Sequence, residues 1–448
     1  MHVSAPDDLR RRLVATFEAM LPEYVARVEW SVARLRAERS RALRGLMTAA
    51  VRGSRWHRER LGGIDIARIT EADLEAVPVM TRADLMEHFD EIVTDRRLSR
   101  QQCERHLERV HGDGYLLGEY HVVASAGSSD PYAWATCWAS KARFPRRDWA
   151  SDPALAGVRR VAAVLAASRP THVSAAFRLT FSTARNPEHL VPVTQPLDWI
   201  VARLNRLQPT ELIGYSSVLA QVARQASAGR LGISPRRVAA IAEPLLPQDR
   251  EAISAAWEVP IGNRYGTSEG VFTGFCGHRN HLPDDLCIVE PVDNRGGPIE
   301  TGSSSDKVYL TNLYNHVLPL IRFELTDEVT VLQGCCPCGS QFRTIADTQG
   351  RLDDTFVYPS GVSVHPHLFR SVLAKHQEIV EYQVRQTTSG AEIAMVAESG
   401  IETARIAYEI EHALAVLKLP NPAVNVTPVA ALDRQTTGKL KRFLPLPG

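Results

Sequence analysis

Between residues 120 and 265 short apolar runs alternate with amphipathic stretches, and this alternation limits the fold more than any other feature of the chain. "YHVVASAG" (120–127), "RRVAAVLAAS" (159–168) and "RVAAIAEPL" (237–245) have the length and content of buried strands. "LDWIVARLNRL" (197–207) places Ile200, Leu204 and Leu207 on one helical face. Alternating strand and helix predict an α/β fold with a parallel sheet. Upstream, Leu13, Phe17, Leu21, Val25, Val28 and Val32 recur at three- and four-residue spacing. Residues 7–60 therefore read as helix, within a helical segment covering about residues 1–110. Thr81 is expected to N-cap the helix that begins "TRADLMEHF".

Past residue 350 the texture changes. "VEYQVRQT" and "AEIAMVAE" alternate like half-buried strands around a turn at Thr388-Ser389-Gly390. "ETARIAYEIEHALAVL" aligns Ile406, Ile410, Leu414 and Leu417, and "AVNVTPVAAL" supplies a third strand. These elements predict a compact α+β unit. A chain of 448 residues exceeds one ordinary core, so the expected division is a large domain over residues 1–350 and a small one over 351–448.

The formal net charge of +1 gives no broad field for nucleic acid or an anionic membrane. No apolar run reaches the roughly 18–20 residues that span a bilayer. The N-terminus lacks the apolar stretch of a signal peptide. The expectation is a cytoplasmic enzyme with small-molecule partners; a homodimer is compatible with these features. Seven cysteines are too few and too unevenly placed for a disulfide framework. Cys335, Cys336 and Cys338 fall within four residues, a clustering that points to metal ligation.

Five polar segments carry candidate chemistry. In "ASAGSSDPY", Ser125, Gly127, Ser128 and Ser129 could present N–H groups and hydroxyls to phosphates. "YGTSEG" (265–270) combines an aromatic ring, hydroxyls and a carboxylate on one turn. Asp327 lies between two apolar runs, where a carboxylate could accept hydrogen bonds from vicinal hydroxyls. "GRLDD" (350–354) falls at the expected domain boundary. "TTGKLKRF" (436–443) holds two of only six lysines, against 46 arginines, which marks a place where a compact point charge matters. Each segment taken alone also suits an ordinary turn or a solvated surface.

Taken in order, with "EPL" at 243–245, these segments resemble the adenylate-forming superfamily, and within it the phenylacetate-CoA ligase branch, from about residue 75 onward. The resemblance implies a large α/β N-terminal domain, a small mobile α+β C-terminal domain, and use of ATP and Mg²⁺. By resemblance, Ser125, Gly127, Ser128 and Ser129 line the pyrophosphate loop. Ala242, Glu243 and Pro244 border the adenine, and Tyr265 and Gly266 belong to the nucleotide site, with Tyr265 stacked on the base. Ser268 touches the α-phosphate and Glu269 holds Mg²⁺. Asp327 and Arg351 take the ribose, Asp353 is the hinge, and Lys439 bridges the carboxylate and the α-phosphate. The sequence departs from the family at Asp130, which stands where a glycine is usual, and no lysine follows it.

The same branch implies a structural Zn²⁺ held by Cys276, His281, Cys336 and Cys338, with His278 and Cys335 as neighbouring alternatives. Tyr132, Trp134 and Tyr215 are candidate walls for a small carboxylic acid, with an aromatic one expected. Coenzyme A is the implied acceptor. An amine, ammonia or another nitrogen nucleophile is the alternative, and a nucleotide-binding member without turnover is a third reading.

Overall fold

The run Ala162–Ala166 forms a strand buried along its whole length (β1), as strands covered on both faces must be. It pairs in parallel with β2 (Glu188–Pro192) and β3 (Glu211–Tyr215), and β4 (Arg237–Ile241) and β5 (Ile261–Arg264) extend the sheet. The strand order is β2-β1-β3-β4-β5. The computed structural model describes residues 5–123, 127–155, 157–184, 186–348, 354–376, 378–397, 401–435 and 438–446.

The helices of the described residues include α1 (Ala5–Arg27), α2 (Val32–Gly53), α3 (Pro131–Ser151), α4 (Val173–Phe181), α5 (Leu197–Leu207), α6 (Ser216–Ser227) and α7 (Pro247–Ala256). The last four connect successive strands. Helix α5 spans the residues read from the sequence and buries Ile200 and Leu204. Thr81 caps its helix with a reciprocal box, its side chain accepting from Asp84 N.

Two readings change. Residues 7–60 are not one helix: the chain breaks after Arg27, and Ser31 restarts it by accepting from Arg34 N. A further helix, Arg55–Arg60, follows the cap Ser54. The strand in "YHVVASAG" does not join the parallel sheet. His121–Val123 pairs antiparallel with Gly127–Ser129, because a three-residue connection is far too short for a parallel crossover.

An antiparallel sheet of Cys287–Val292, Lys307–Asn312 and Phe323–Leu325 follows β5. Toward the C-terminus, strands Ala423–Pro428, Gly390–Ala397, Ile379–Gln386 and Phe443–Leu444 lie side by side in that order. Helix α8 (Thr403–Val416) covers them with Ile406, Ile410 and Leu414. Leu417, read as part of that face, is 44% exposed because the helix ends before it. These strands close a core around Phe356, Phe369, Tyr382 and Phe443, to which Leu246 is added from the loop before α7. No helix among the described residues is long and apolar enough to cross a membrane.

Candidate active site

A parallel sheet of order 2-1-3-4-5 has a crevice at the carboxyl ends of β1 and β3, where the connections leave in opposite directions. Tyr215 ties those two ends together, its hydroxyl accepting from Ala167 N at 3.2 Å. His172 follows β1 and caps α4 through Ser174 N at 3.3 Å. Burial, then the charges of Arg178, Lys439 and Lys141, push His172 down to about 4, so its imidazole is neutral at pH 7.

"YGTSEG" folds as a tight hairpin just past β5. Thr273 N donates to Tyr265 O at 2.9 Å, Thr267 N to Val271 O at 2.9 Å, and Gly266 faces Phe272. Ser268 and Glu269 form its tip. The turn closes at Gly270, whose φ is +110° and where an added Cβ would lie 2.3 Å from Asn312 Nδ2, so no side chain fits. Asn312 Nδ2 donates to Glu269 O at 2.8 Å and Tyr314 Oη to Gly270 O at 2.8 Å. Asn315 Nδ2 donates to Ser129 Oγ at 3.2 Å. The segment 312–315 therefore fixes both the hydroxyl-rich hairpin and the "YGTSEG" turn. Sequence reading passed over it, although two asparagines beside the apolar strand in "TNLYNH" were a usable signal.

After β4, Ala242 holds a left-handed φ of +63°, a conformation that costs a non-glycine residue energy and clusters at functional sites. It turns Glu243 inward. One carboxylate oxygen accepts from Ser217 N at 3.1 Å and the other from Leu440 N at 2.8 Å. Leu440 comes from the C-terminal unit, so the backbone beside Lys439 is anchored at the crevice. Other ties join the same two parts. Arg434 donates to Ser217 Oγ at 3.0 Å, Gln221 to Glu381 at 2.9 Å, and Arg442 pairs with Asp249 at 3.1 Å. His365 meets Glu328, next to the buried Asp327, at 2.6 Å.

Gly438 has a φ of +77°, and a Cβ there would lie 2.3 Å from Val193 Cγ2. Gly438→Ala is expected to push Lys439 out of the crevice. We predict a loss of about tenfold or more in any activity that uses Lys439, since small misplacements are costly, with the unfolding temperature nearly unchanged. Equal loss of both would mean the glycine serves folding alone.

The other sequence candidates fall as follows. Ser125, Arg351 and Asp353 lie outside the described residues. Gly127 and Ser128 are in the hairpin strand, and Pro244 follows Glu243. Tyr132 is 61% exposed on the first turn of α3. Trp134 is core, stacked 4.0 Å from Phe177, and Tyr215 is fully buried.

Away from the crevice, Cys276, His281, Cys336 and Cys338 bring their ligand atoms within 4.8 Å of one another. Cys276 Sγ lies 3.5 Å from Cys336 Sγ, and His281 Nε2 lies 3.3 Å from both Cys276 and Cys338 Sγ. A tetrahedral Zn²⁺ site has edges of about 3.8 Å between sulfurs and about 3.6 Å between sulfur and nitrogen. The donor set fits that ion. His281 Nδ1 lies 3.0 Å from Phe342 O, which fixes the tautomer and turns Nε2 toward the thiols. Phe144 stacks on the imidazole at 4.6 Å.

No protein-family model matches the chain. A stretch of 198 residues, 42% of this chain, is 24% identical to Protein CapK of Staphylococcus aureus and spans 42% of that protein's length. The structure superposes over 94% of its length on 91% of 2-hydroxyisobutyryl-CoA ligase in the postadenylation state with 2-HIB-AMP, at TM-score 0.71 and 16% identity. The same ligase with 2-HIB-AMP and CoA in its thioesterification state gives 0.54 over 93% and 91%, also at 16% identity. The chain therefore shares the fold of that ligase. Asp130 is accounted for by this structure: it N-caps α3, accepting from Ala133 N at 2.8 Å, so its charge is directed at a helix N-terminus.

Proposed function

We propose that the protein activates a small, aromatic carboxylic acid with ATP, forming an acyl-adenylate and pyrophosphate, and then transfers the acyl group to the thiol of coenzyme A with release of AMP. The observation that carries this reading is the anchoring of the Gly438–Leu440 segment on Glu243. It brings a lysine from the C-terminal unit to the crevice that also holds His172 and the "YGTSEG" turn.

In this reading the carboxylate oxygen attacks the α-phosphorus and the bond to pyrophosphate breaks. Two anions must approach, and the Lys439 ammonium screens them. Ser268 and the hydroxyl-rich hairpin donate to phosphate oxygens. Tyr265 supplies a face for the base, and Ala242, Glu243 and Pro244 form its border. Asp327 and Arg351 take the ribose. Mg²⁺ bound through Glu269 would neutralise phosphate charge. Zn²⁺ on the Cys₃His set would be structural, because four protein ligands leave no open position. The better superposition on the postadenylation state supports placing the C-terminal unit in its first-step arrangement. Residues 1–350 and 351–448 are then the two moving parts, with Asp353 as the hinge.

The test is carboxylate-dependent exchange of labelled pyrophosphate into ATP across a panel of small acids, followed by acceptors. Exchange with at least one aromatic acid, and thioester formation with coenzyme A, are expected. Exchange with amines as the sole productive acceptors would move the second step to amide formation. No exchange with any acid, despite ATP binding, would leave a nucleotide-binding protein without turnover.

A further inference from the structure

Around the amino ends of β1, β2 and β3 a second cavity of about 260 Å³ lies between α1, α3 and α4, and its Lys141 reaches toward the crevice, with the ammonium 6.0 Å from the Phe272 ring of the "YGTSEG" hairpin. Its mouth carries the exposed Glu18, Arg146 and Arg159, and its floor the buried Arg178, Phe181 and Ile213. The wall is charged with one sign in excess. Lys141, Arg146, Arg159, Arg160, Arg178 and Arg264 face Glu18 and Glu188, six cations against two carboxylates. Glu211, just behind the wall, pairs with Arg160 at 2.7 Å and with Arg264 at 3.2 Å. With it included, three positive charges remain uncompensated when Lys141 is protonated and two when it is neutral.

Two groups are left for a ligand. Arg178 is 3% exposed; its Nη1 bonds Ser174 O and its Nε faces Glu188 at 3.5 Å, but Nη2 has no hydrogen-bond partner among the described residues. Lys141 has no ion pair among the described residues, and its ammonium lies 4.9 Å from the Trp138 ring and 5.3 Å from the Phe177 ring. Trp138, Phe181 and Trp149 give the cavity aromatic walls. A bare oxyanion would leave those rings facing water, whereas a carboxylate on an apolar body would satisfy both the charge and the rings. We propose that this cavity binds a small organic anion, a carboxylate carried on an aromatic or aliphatic body, at a site separate from the "YGTSEG" crevice. The inference stands independently of the proposed reaction.

Binding should also move a proton. Lys141 is surrounded by Cys137 on its own helix, Arg178 from α4, Glu188 from β2 and Arg264 from β5. Burial, then the charge of Arg178, push it down to about 7. A nearby anion raises that value, so the complex takes up protons at pH 7 and affinity falls as pH rises above it.

The experiment uses 4-bromobenzoate with the full chain. Anomalous diffraction from soaked crystals should place bromine inside the cavity. Calorimetry in two buffers of different ionisation heat should show proton uptake by the wild type and none by Lys141→Met, with binding at least about tenfold weaker in that variant. Ala142→Phe, which fills the cavity at its lining without touching a charge, should abolish the bromine signal there. The proposal is overturned if bromine appears only beside Tyr265 or nowhere, if Ala142→Phe leaves the cavity signal intact, or if inorganic phosphate binds the cavity as tightly.

Discussion

Lys439→Ala is expected to lower carboxylate-dependent pyrophosphate exchange at least about a hundredfold and to leave ATP binding nearly intact, the size expected when one preorganised charge is removed from a site of developing anionic charge. The residue sits on a segment anchored by a buried carboxylate and by a glycine that admits no side chain. Its main-chain setting survives the substitution, so a loss would report the ammonium itself. The variant should still convert a supplied acyl-adenylate to product, because in the proposed mechanism the lysine serves only the first step. Exchange close to wild type would remove Lys439 from the mechanism, and equal loss of both steps would make it structural.

Metal removal should produce the second large effect. Chelation, or Cys336→Ser, is expected to lower the unfolding temperature by roughly 5–10 °C, since a closed Cys₃His site contributes its binding energy to folding. Val28 and Leu35, from the start of the chain, share a cluster with Cys276, Cys336, Phe144 and Phe342. The loss should therefore be felt first where the N-terminal helices meet α3. About one equivalent of zinc per chain is expected in purified protein. Less than about a tenth of an equivalent, with stability unchanged by chelator, would identify the cluster as free thiols.

Helix α5 was legible to the residue because its apolar period, its proline before the first turn and its polar end all agree. The helical break at residues 28–31 was not, because it contains neither glycine nor proline and the apolar period runs through it. The "YGTSEG", Glu243 and Lys439 segments could be picked out from their chemistry. Their meeting could not, since it depends on strand order and on where the C-terminal unit docks. His172 and Asn315 were missed for the same reason: each is an ordinary polar residue until the fold brings it beside a loop from elsewhere. Lys141 was open to discovery by the argument used for Lys439, because it too is one of six lysines in an arginine-rich chain.

The two-handed grip of Glu243 has a consequence for timing. Its carboxylate accepts one N–H from α6 and one from the segment carrying Lys439. A hydrogen bond to a charged acceptor is worth about 1.5–3 kcal/mol. If the C-terminal unit rotates, the second bond must break while the first still holds the carboxylate inside the protein, away from water. A difference of about 2 kcal/mol corresponds to a population ratio of roughly thirty to one. Before any ligand acts, the resting ensemble would then sit heavily in the first-step arrangement, and the visit to the second would be brief and rare. A slow, ligand-dependent excursion of this kind is a clock to which one side chain contributes beside the Arg434, Gln221 and Arg442 ties, and Glu243→Gln, which removes the charge and one of the two acceptors, would make it run faster.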